Sequence, residues 1–219
     1  INKDISSGWF LHYIHSNTVS VIFFGTYIHI SRGLYISSYK LMPTLWISGI
    51  VILVMFIMTA FVGYVLTWGQ ISFWGVTVIK NILSSIPCLV ECLCGCFYVC
   101  NPTLIRFCIL HLLLPLVISM VIVLHLAYCH YISSSNPLGM SLLNYSSTTI
   151  SFYPSVFHKD VVFHILVYGM YTFQLSLLII LVSHPDSSVD VNELVTPMHI
   201  VPEWYLLCYY MVLKGIPNV

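Results

Sequence analysis

Four histidines carry the first chemical signal. His15 and His29 stand 14 residues apart, and so do His111 and His125. At about 100° per residue, 14 steps fall roughly 40° short of four full turns, so on a helix each pair shares one face. At 1.5 Å per residue the two members lie about 21 Å apart along the axis. Ionisable side chains at membrane depth are costly and point to function by default, and all four histidines lie in apolar runs. Gly49 and Gly63 repeat the interval in another run. Glycine inside a helix costs about 1 kcal/mol relative to alanine, so a pair at the histidine period implies flat groups packed on bare backbone at two levels. A single membrane histidine is more commonly a helix-packing residue. Two histidine pairs and a glycine pair in register instead fit two haem irons, each needing two opposed imidazoles. Zinc fits poorly, because four ligands at two depths form no tetrahedron.

The elements that must position these residues follow from hydropathy. Of 219 residues, 59% are hydrophobic and only 6% are charged, and the mean hydropathy is +0.95. A soluble domain carries about 25% charged residues, so the expectation is an all-α transmembrane fold, a haem-binding helical bundle. A net charge of zero leaves no case for nucleic acid as a partner. Four runs, about 8–32, 45–66, 103–131 and 160–183, are long enough to span a bilayer. Pro115 should kink the third. The first and third then cross in the same direction, which sets His15 opposite His111 and His29 opposite His125. The connection 67–102 holds an amphipathic stretch, Ile71–Leu83, suited to an interfacial helix. The connection 132–159 reads as loop, and 184–219 as loop with a short helix at about 203–214. Two parts are expected, 1–131 with the haem-binding helices and 132–219 with the fourth span and the loop after it.

Eight cysteines are present without the C-x-x-C-H arrangement, so haem would be held without covalent attachment. Cys88, Cys92, Cys94, Cys96 and Cys100 look like a metal cluster, but small apolar packing residues are the plainer reading. Lysine density is higher in the loops 33–44 and 132–159, favouring that side as the inside. No cleavable signal precedes the first span, and because the chain begins with Ile1 it is expected to be a fragment.

Several stretches together resemble cytochrome b of the mitochondrial-type cytochrome bc complex, complex III. They are Gly8-Trp9 with His15, His29-Ile-Ser-Arg32-Gly33-Leu34-Tyr35, Trp68-Gly69-Gln70 with Phe73-Trp74-Gly75, Ser135-Asn136-Pro137-Leu138-Gly139, and Pro202-Glu203-Trp204-Tyr205. The resemblance covers essentially the whole chain. It implies a parent of eight transmembrane helices, of which this chain holds the second to fifth, B to E, and the following loop. The plastid relative divides after helix D and spaces the helix D histidines by 15. A continuous chain and a spacing of 14 imply the mitochondrial or bacterial type.

The resemblance further implies a dihaem subunit of ubiquinol–cytochrome c reductase. Ubiquinol would be oxidised near the positive side, with one electron leaving to the iron–sulfur protein. The other would cross through two b-type haems to ubiquinone near the negative side, coupled to proton translocation. His15 and His111 would bind the low-potential haem, and His29 and His125 the high-potential one. Cytochrome c1 and the iron–sulfur protein are the implied partners, in a homodimeric complex of the mitochondrial inner membrane or a bacterial plasma membrane. The fragment alone would be inactive.

For quinol oxidation the resemblance implies Glu203 as proton acceptor, with Tyr205 beside it. A carboxylate in an apolar pocket has a raised pKa and can take a proton from quinol. Phe61, Tyr64, Gly75, Ile79, Pro202 and Tyr210 match pocket-lining positions; ordinary apolar packing is the alternative for each. For quinone reduction it implies His130 and Asp160, with Lys159 adjacent, as proton donors. Asp160 also suits the start of a helix. Arg32 and Arg106 fall where arginines serve haem propionates, a role suited to the planar guanidinium; interfacial snorkelling is the alternative. His158, His164, His184 and His199 read as structural. Two departures stand out: His12 replaces the usual Arg before the first ligand, and Thr67 replaces the usual Pro before Trp68. Two other readings share the histidines: another dihaem quinone-linked reductase, which has no need of the Pro202–Tyr205 motif, and a scaffold or transporter whose histidines line a polar path.

Overall fold

In the computed structural model the described residues are 4–82, 84, 87–96, 98–132, 149–177 and 184–215. The motif at residues 135–139, most of the 132–159 connection and the end of the fourth run at 178–183 lie outside them. The described residues form helices and turns, with one isolated bridge between Gly69 and Asp190.

The first expected span is α1, Gly8–Tyr35. A short helix α2, Ser38–Leu41, follows. The second span is α3, Pro43–Val65, opened by a proline at its first position, where a missing N–H costs nothing. The amphipathic stretch is α4, Gln70–Ile82. The connection holds a further helix, α5, Pro87–Cys94. The third span is α6, Asn101–Ile132. The fourth is α7, Phe157–Ser176, and the short helix near the end is α8, Leu207–Lys214. Two of these, α3 and residues Asn101–Tyr131 of α6, are long and apolar enough to cross a membrane. At 28 and 20 residues, α1 and α7 have the length for about 42 and 30 Å. Their polar residues dilute the apolar character.

Pro115 lies within α6, which continues past it. A proline there has no N–H for the carbonyl four residues back, which is that of His111. The α5 carbonyls of Glu91 and Cys92 accept from the Arg106 guanidinium. The next residue after the helix, Gly95, is left-handed with φ 76°, as a helix end favours. Thr103, fully buried, donates to the Cys94 carbonyl at 2.8 Å. Cys96 and Cys100 are joined by a disulfide, a covalent link where only apolar packing was expected. Among the described residues no group of His, Cys, Asp and Glu could hold a metal cluster.

The chain divides into two compact units. One comprises Ile1–Thr18 and Ser134–Leu181. Within it, Tyr171 bonds the Thr18 hydroxyl at 2.6 Å, and Gln174 donates to Asn17 at 3.1 Å. Interhelical polar contacts of this kind hold helices together where lipid offers no hydrophobic drive. The other unit comprises Val19–Ser133 and Val182–Val219. There α3 and α6 run antiparallel, with Gly49 at His125 and Gly63 at His111. Val62 and Val65 of α3, Phe73 and Val76 of α4, Val99 just before α6 and Phe107 within it form its buried core. That core docks α4 beneath the end of α3. A second cluster, Phe23, Tyr205 and Leu206, joins α1 to the turn before α8.

Candidate functional site

Two features of the second unit gather the chemistry. The first is a pair of imidazoles. The His29 and His125 rings face each other with centroids 6.5 Å apart, inclined by 70°. Ser48 gives its one proton to the Leu45 carbonyl and therefore accepts from the His125 Nδ1–H at 2.8 Å. This leaves Nε2 of His125 as the ring nitrogen that could ligate a metal. Two metal–nitrogen bonds of about 2.0 Å plus the half-widths of two five-membered rings come close to the observed separation.

Fourteen residues earlier on α6, His111 donates from Nδ1 to the Thr59 carbonyl at 3.0 Å. That bond selects the same tautomer. The glycines sit under these rings. A Cβ on Gly49 would stand 3.3 Å from His125 Cε1, and one on Gly63 only 2.8 Å from His111 Nδ1. The α6 imidazoles thus lie over the bare backbone at both glycines. The donor set fits haem: two α6 imidazoles oriented through Nδ1, at levels 14 residues apart. His15 belongs to the first unit.

The second feature is a cavity of about 130 Å³. An engineered protein cavity of about 150 Å³ admits benzene, so this one suits a single six-membered ring. Its walls come from α3 (Ile57, Phe61, Tyr64), α4 (Ile71, Gly75, Val78, Ile79) and the segment 200–210. Of the positions expected from the sequence, Phe61, Tyr64, Gly75, Ile79, Pro202, Glu203 and Tyr210 all line it. Ile71 and Val78 were not singled out, although with Gly75 and Ile79 they complete one helical face of α4. Ile200, Val201 and Tyr209 carried no sequence signal.

Glu203 is 8% exposed. Burial pushes its carboxyl up to about 7, and a hydrogen bond with Tyr64 opposes part of that rise. Its carbonyl accepts from the Leu206 amide at 2.8 Å, starting the turn Trp204–Leu206, and its side chain makes no cap bond. The turn is anchored to α1. Tyr27 donates to the Tyr205 carbonyl at 2.5 Å, Trp204 donates to Ser20 at 3.2 Å, and Tyr205 stacks on Phe23 at 4.4 Å. Tyr205 itself does not line the cavity. Burial, then the neighbouring Glu203, holds its hydroxyl well above the usual range, so it stays protonated.

Elsewhere, Thr67 donates to the Tyr64 carbonyl at 2.9 Å, closing α3 where the usual proline is absent, and Trp68 adopts φ 52°. Arg32 lies in the last turn of α1 and His130 in the last turn of α6. Arg106 is engaged with the end of α5. Asp160 stands in the first turn of α7, in the other unit, where the His164 Nδ1–H donates to its carbonyl at 2.6 Å.

The family described as cytochrome b/b6/petB matches residues 1–133, and the family described as cytochrome b(C-terminal)/b6/petD matches residues 190–219. Cytochrome b of Toxoplasma gondii is 45% identical over 99% of this chain and 58% of its own length. Cytochrome b of Phytophthora megasperma is 43% identical over the full chain and 57% of its own length. A solved structure titled "Hyperthermophilic respiratory Complex III" matches with a TM-score of 0.86 at 29% identity, covering 99% of this chain and 60% of the other. The chain thus spans a little over half the length of these relatives.

Proposed function

The chain belongs to the cytochrome b family, and from that premise we propose that it serves a quinol–cytochrome c reductase as the dihaem subunit, oxidising quinol at the cavity walled by Glu203. The observation that carries this reading is a buried carboxyl on the wall of an otherwise apolar, ring-sized cavity.

Haem, when bound, supplies a one-electron carrier at each of two levels. His29 and His125 would hold one through Nε2. His111 would hold the other, with His15 assigned by the sequence register alone. Ser48 and the Thr59 carbonyl orient the α6 rings. Arg32 is the candidate for a propionate; Arg106, already bonded to α5, is the weaker one. The apolar walls exclude water from a quinol ring, and Phe61 and Ile79 confine it. Glu203, with a pKa near the working pH, accepts a proton from the quinol hydroxyl. Tyr205 supports the turn that aims it. At the opposite side His130 and Asp160, with Lys159, would deliver protons to a quinone. Cytochrome c1, an iron–sulfur protein and a second copy of the complex are the proposed partners, with the mitochondrial inner membrane as site or, as alternative, a bacterial plasma membrane.

The test is cytochrome c reduction by quinol in the complete complex carrying Ile79→Trp, a change that fills the cavity. Retained haem with a loss of turnover is expected. Unchanged turnover with the cavity filled would overturn the reading.

A further inference from the structure

We propose that Gln70 is a positioning residue for the quinol pocket: its buried carboxamide clamps residues 189–195 to the start of α4 and thereby seats residues 200–203 as the pocket wall. The inference rests on the quinol reading of that cavity.

Gln70 is only 7% exposed, and both ends of its amide are used. Nε2 donates to the Val195 carbonyl at 2.6 Å, and Oε1 accepts from the Asn192 amide at 2.8 Å. A carboxamide is the neutral side chain that offers a donor and an acceptor side by side. Here it meets one carbonyl and one N–H of a turn more than 120 residues away in the chain. Its own backbone N–H donates to the Val189 carbonyl at 3.0 Å. Ser72, fully buried, holds the corner from inside, bonding both the N–H and the carbonyl of Gly69. Gly69 lies so close to the Ser187 carbonyl that no Cβ could enter.

Between Ser188 and Pro202 the chain forms no helix, and Gly69–Asp190 is its only bridge among the described residues. A segment with so little internal hydrogen bonding takes its path from outside contacts. Gln70 provides three of them, two through its side chain, and five residues past Val195 the chain becomes the cavity wall at Ile200, Val201 and Pro202. Ile71, next to Gln70, lines the same cavity. The clamp and the wall are therefore built on one helical turn. Releasing it lets the loop leave without touching a group that meets substrate.

The test uses the complete complex with Gln70→Ala and Gln70→Glu. The first deletes both bonds; the second replaces the donor with a carboxylate facing the Val195 carbonyl. Both haems should remain in the spectrum. Loss of two hydrogen bonds of ordinary strength in Gln70→Ala should raise the KM for quinol about tenfold or more, while kcat at saturating quinol changes less than about twofold; Gln70→Glu, which loses the donor and keeps the acceptor, should also raise KM with kcat held. Amide exchange at position 70 and at Asn192 should accelerate in Gln70→Ala. A merely structural role would lower the yield of haem-loaded complex and leave KM unchanged in what assembles, and that result overturns the proposal. Exchange in the wild-type complex needs no variant to fold: unprotected Gln70 and Asn192 amides there would also overturn it. If Ile79→Trp leaves turnover intact, the quinol reading fails. If Ile79→Trp acts and the Gln70 variants leave KM alone, only the positioning role fails.

Discussion

Replacing Glu203 by Gln tests the acid–base reading most directly, because it keeps the shape of a side chain that is 8% exposed and removes its charge. With the carboxyl pushed up to about 7 by burial, about one molecule in eleven is ionised at pH 6 and about ten in eleven at pH 8. If the ionised form is the proton acceptor, quinol oxidation at limiting quinol rises about tenfold over that interval. A carboxyl at its ordinary value would already be ionised at pH 6 and give a flat profile. Glu203→Gln should abolish the rise and slow the reaction toward the lower end of the range of about 10²–10⁴-fold typical of general acid–base roles, since water can substitute in part. Stability moves in the opposite sense. A folded-state pKa above the unfolded value of 4.5 means that the native protein keeps a proton the unfolded chain has released. Stability is therefore undiminished below about 4.5, falls as pH rises toward 7, and then stays level. The advantage in Tm of Glu203→Gln over the wild type should grow over that window. The assay is steady-state quinol oxidation against pH in the full-length protein, with haem content read from the spectrum. A wild-type profile that is flat from pH 6 to 8, or a variant that keeps the same slope, would refute the reasoning.

Gly63→Ala should cost the haem at the His111 level, because the added Cβ meets the imidazole inside contact distance, whereas Gly49→Ala, at 3.3 Å from His125, should weaken its level only partly; redox titration of both variants measures this. His29→Ala and His125→Ala should remove one and the same centre, and the loss of different centres would break the pairing seen in their facing rings. Gly75→Ala should fold normally, since no atom lies within 4 Å of the new Cβ. It should raise the KM for quinol modestly, by taking a methyl's volume from a cavity of about 130 Å³. Acid acetone should extract all haem from the intact protein, because no cysteine is placed to attach it.

The levels of the site were legible because periodicity survives translation into space. A four-turn interval puts His125 over Gly49 and His111 over Gly63 whatever the connections do, and the α4 face at 75 and 79 follows the same rule. Glu203 was legible through its motif, and its burial followed from the aromatic neighbours. What escaped was set by partners remote in sequence. Gln70 stood in the Trp68-Gly69-Gln70 motif, but no role could be read for it, because its bonds are to backbone groups, which any residue type supplies. The bonds from Arg106 to the α5 carbonyls were not legible, because α5 itself lay in a stretch too short and mixed to show a period. The Cys96–Cys100 link joins two of eight cysteines whose spacing alone does not reveal which pair is bonded. Tyr205 shares its motif with Glu203 but points to α1, since neighbours in a tight turn diverge.

The antiparallel contact of α3 with α6 has a consequence for length. Deleting one residue between His111 and His125 would swing one imidazole by about 100° and shift it about 1.5 Å relative to the other. Deleting one between Gly49 and Gly63 would carry a side chain into the place of the missing Cβ. Removal of four residues nearly restores the azimuth, yet displaces the ring by about 6 Å. A small change in length there must be absorbed by the helix itself, so these two intervals act as a ruler whose graduations are helical turns. Among relatives of the undivided type, insertions and deletions should accumulate in the connections and avoid residues 49–63 and 111–125, even where every side chain between the marks has been exchanged.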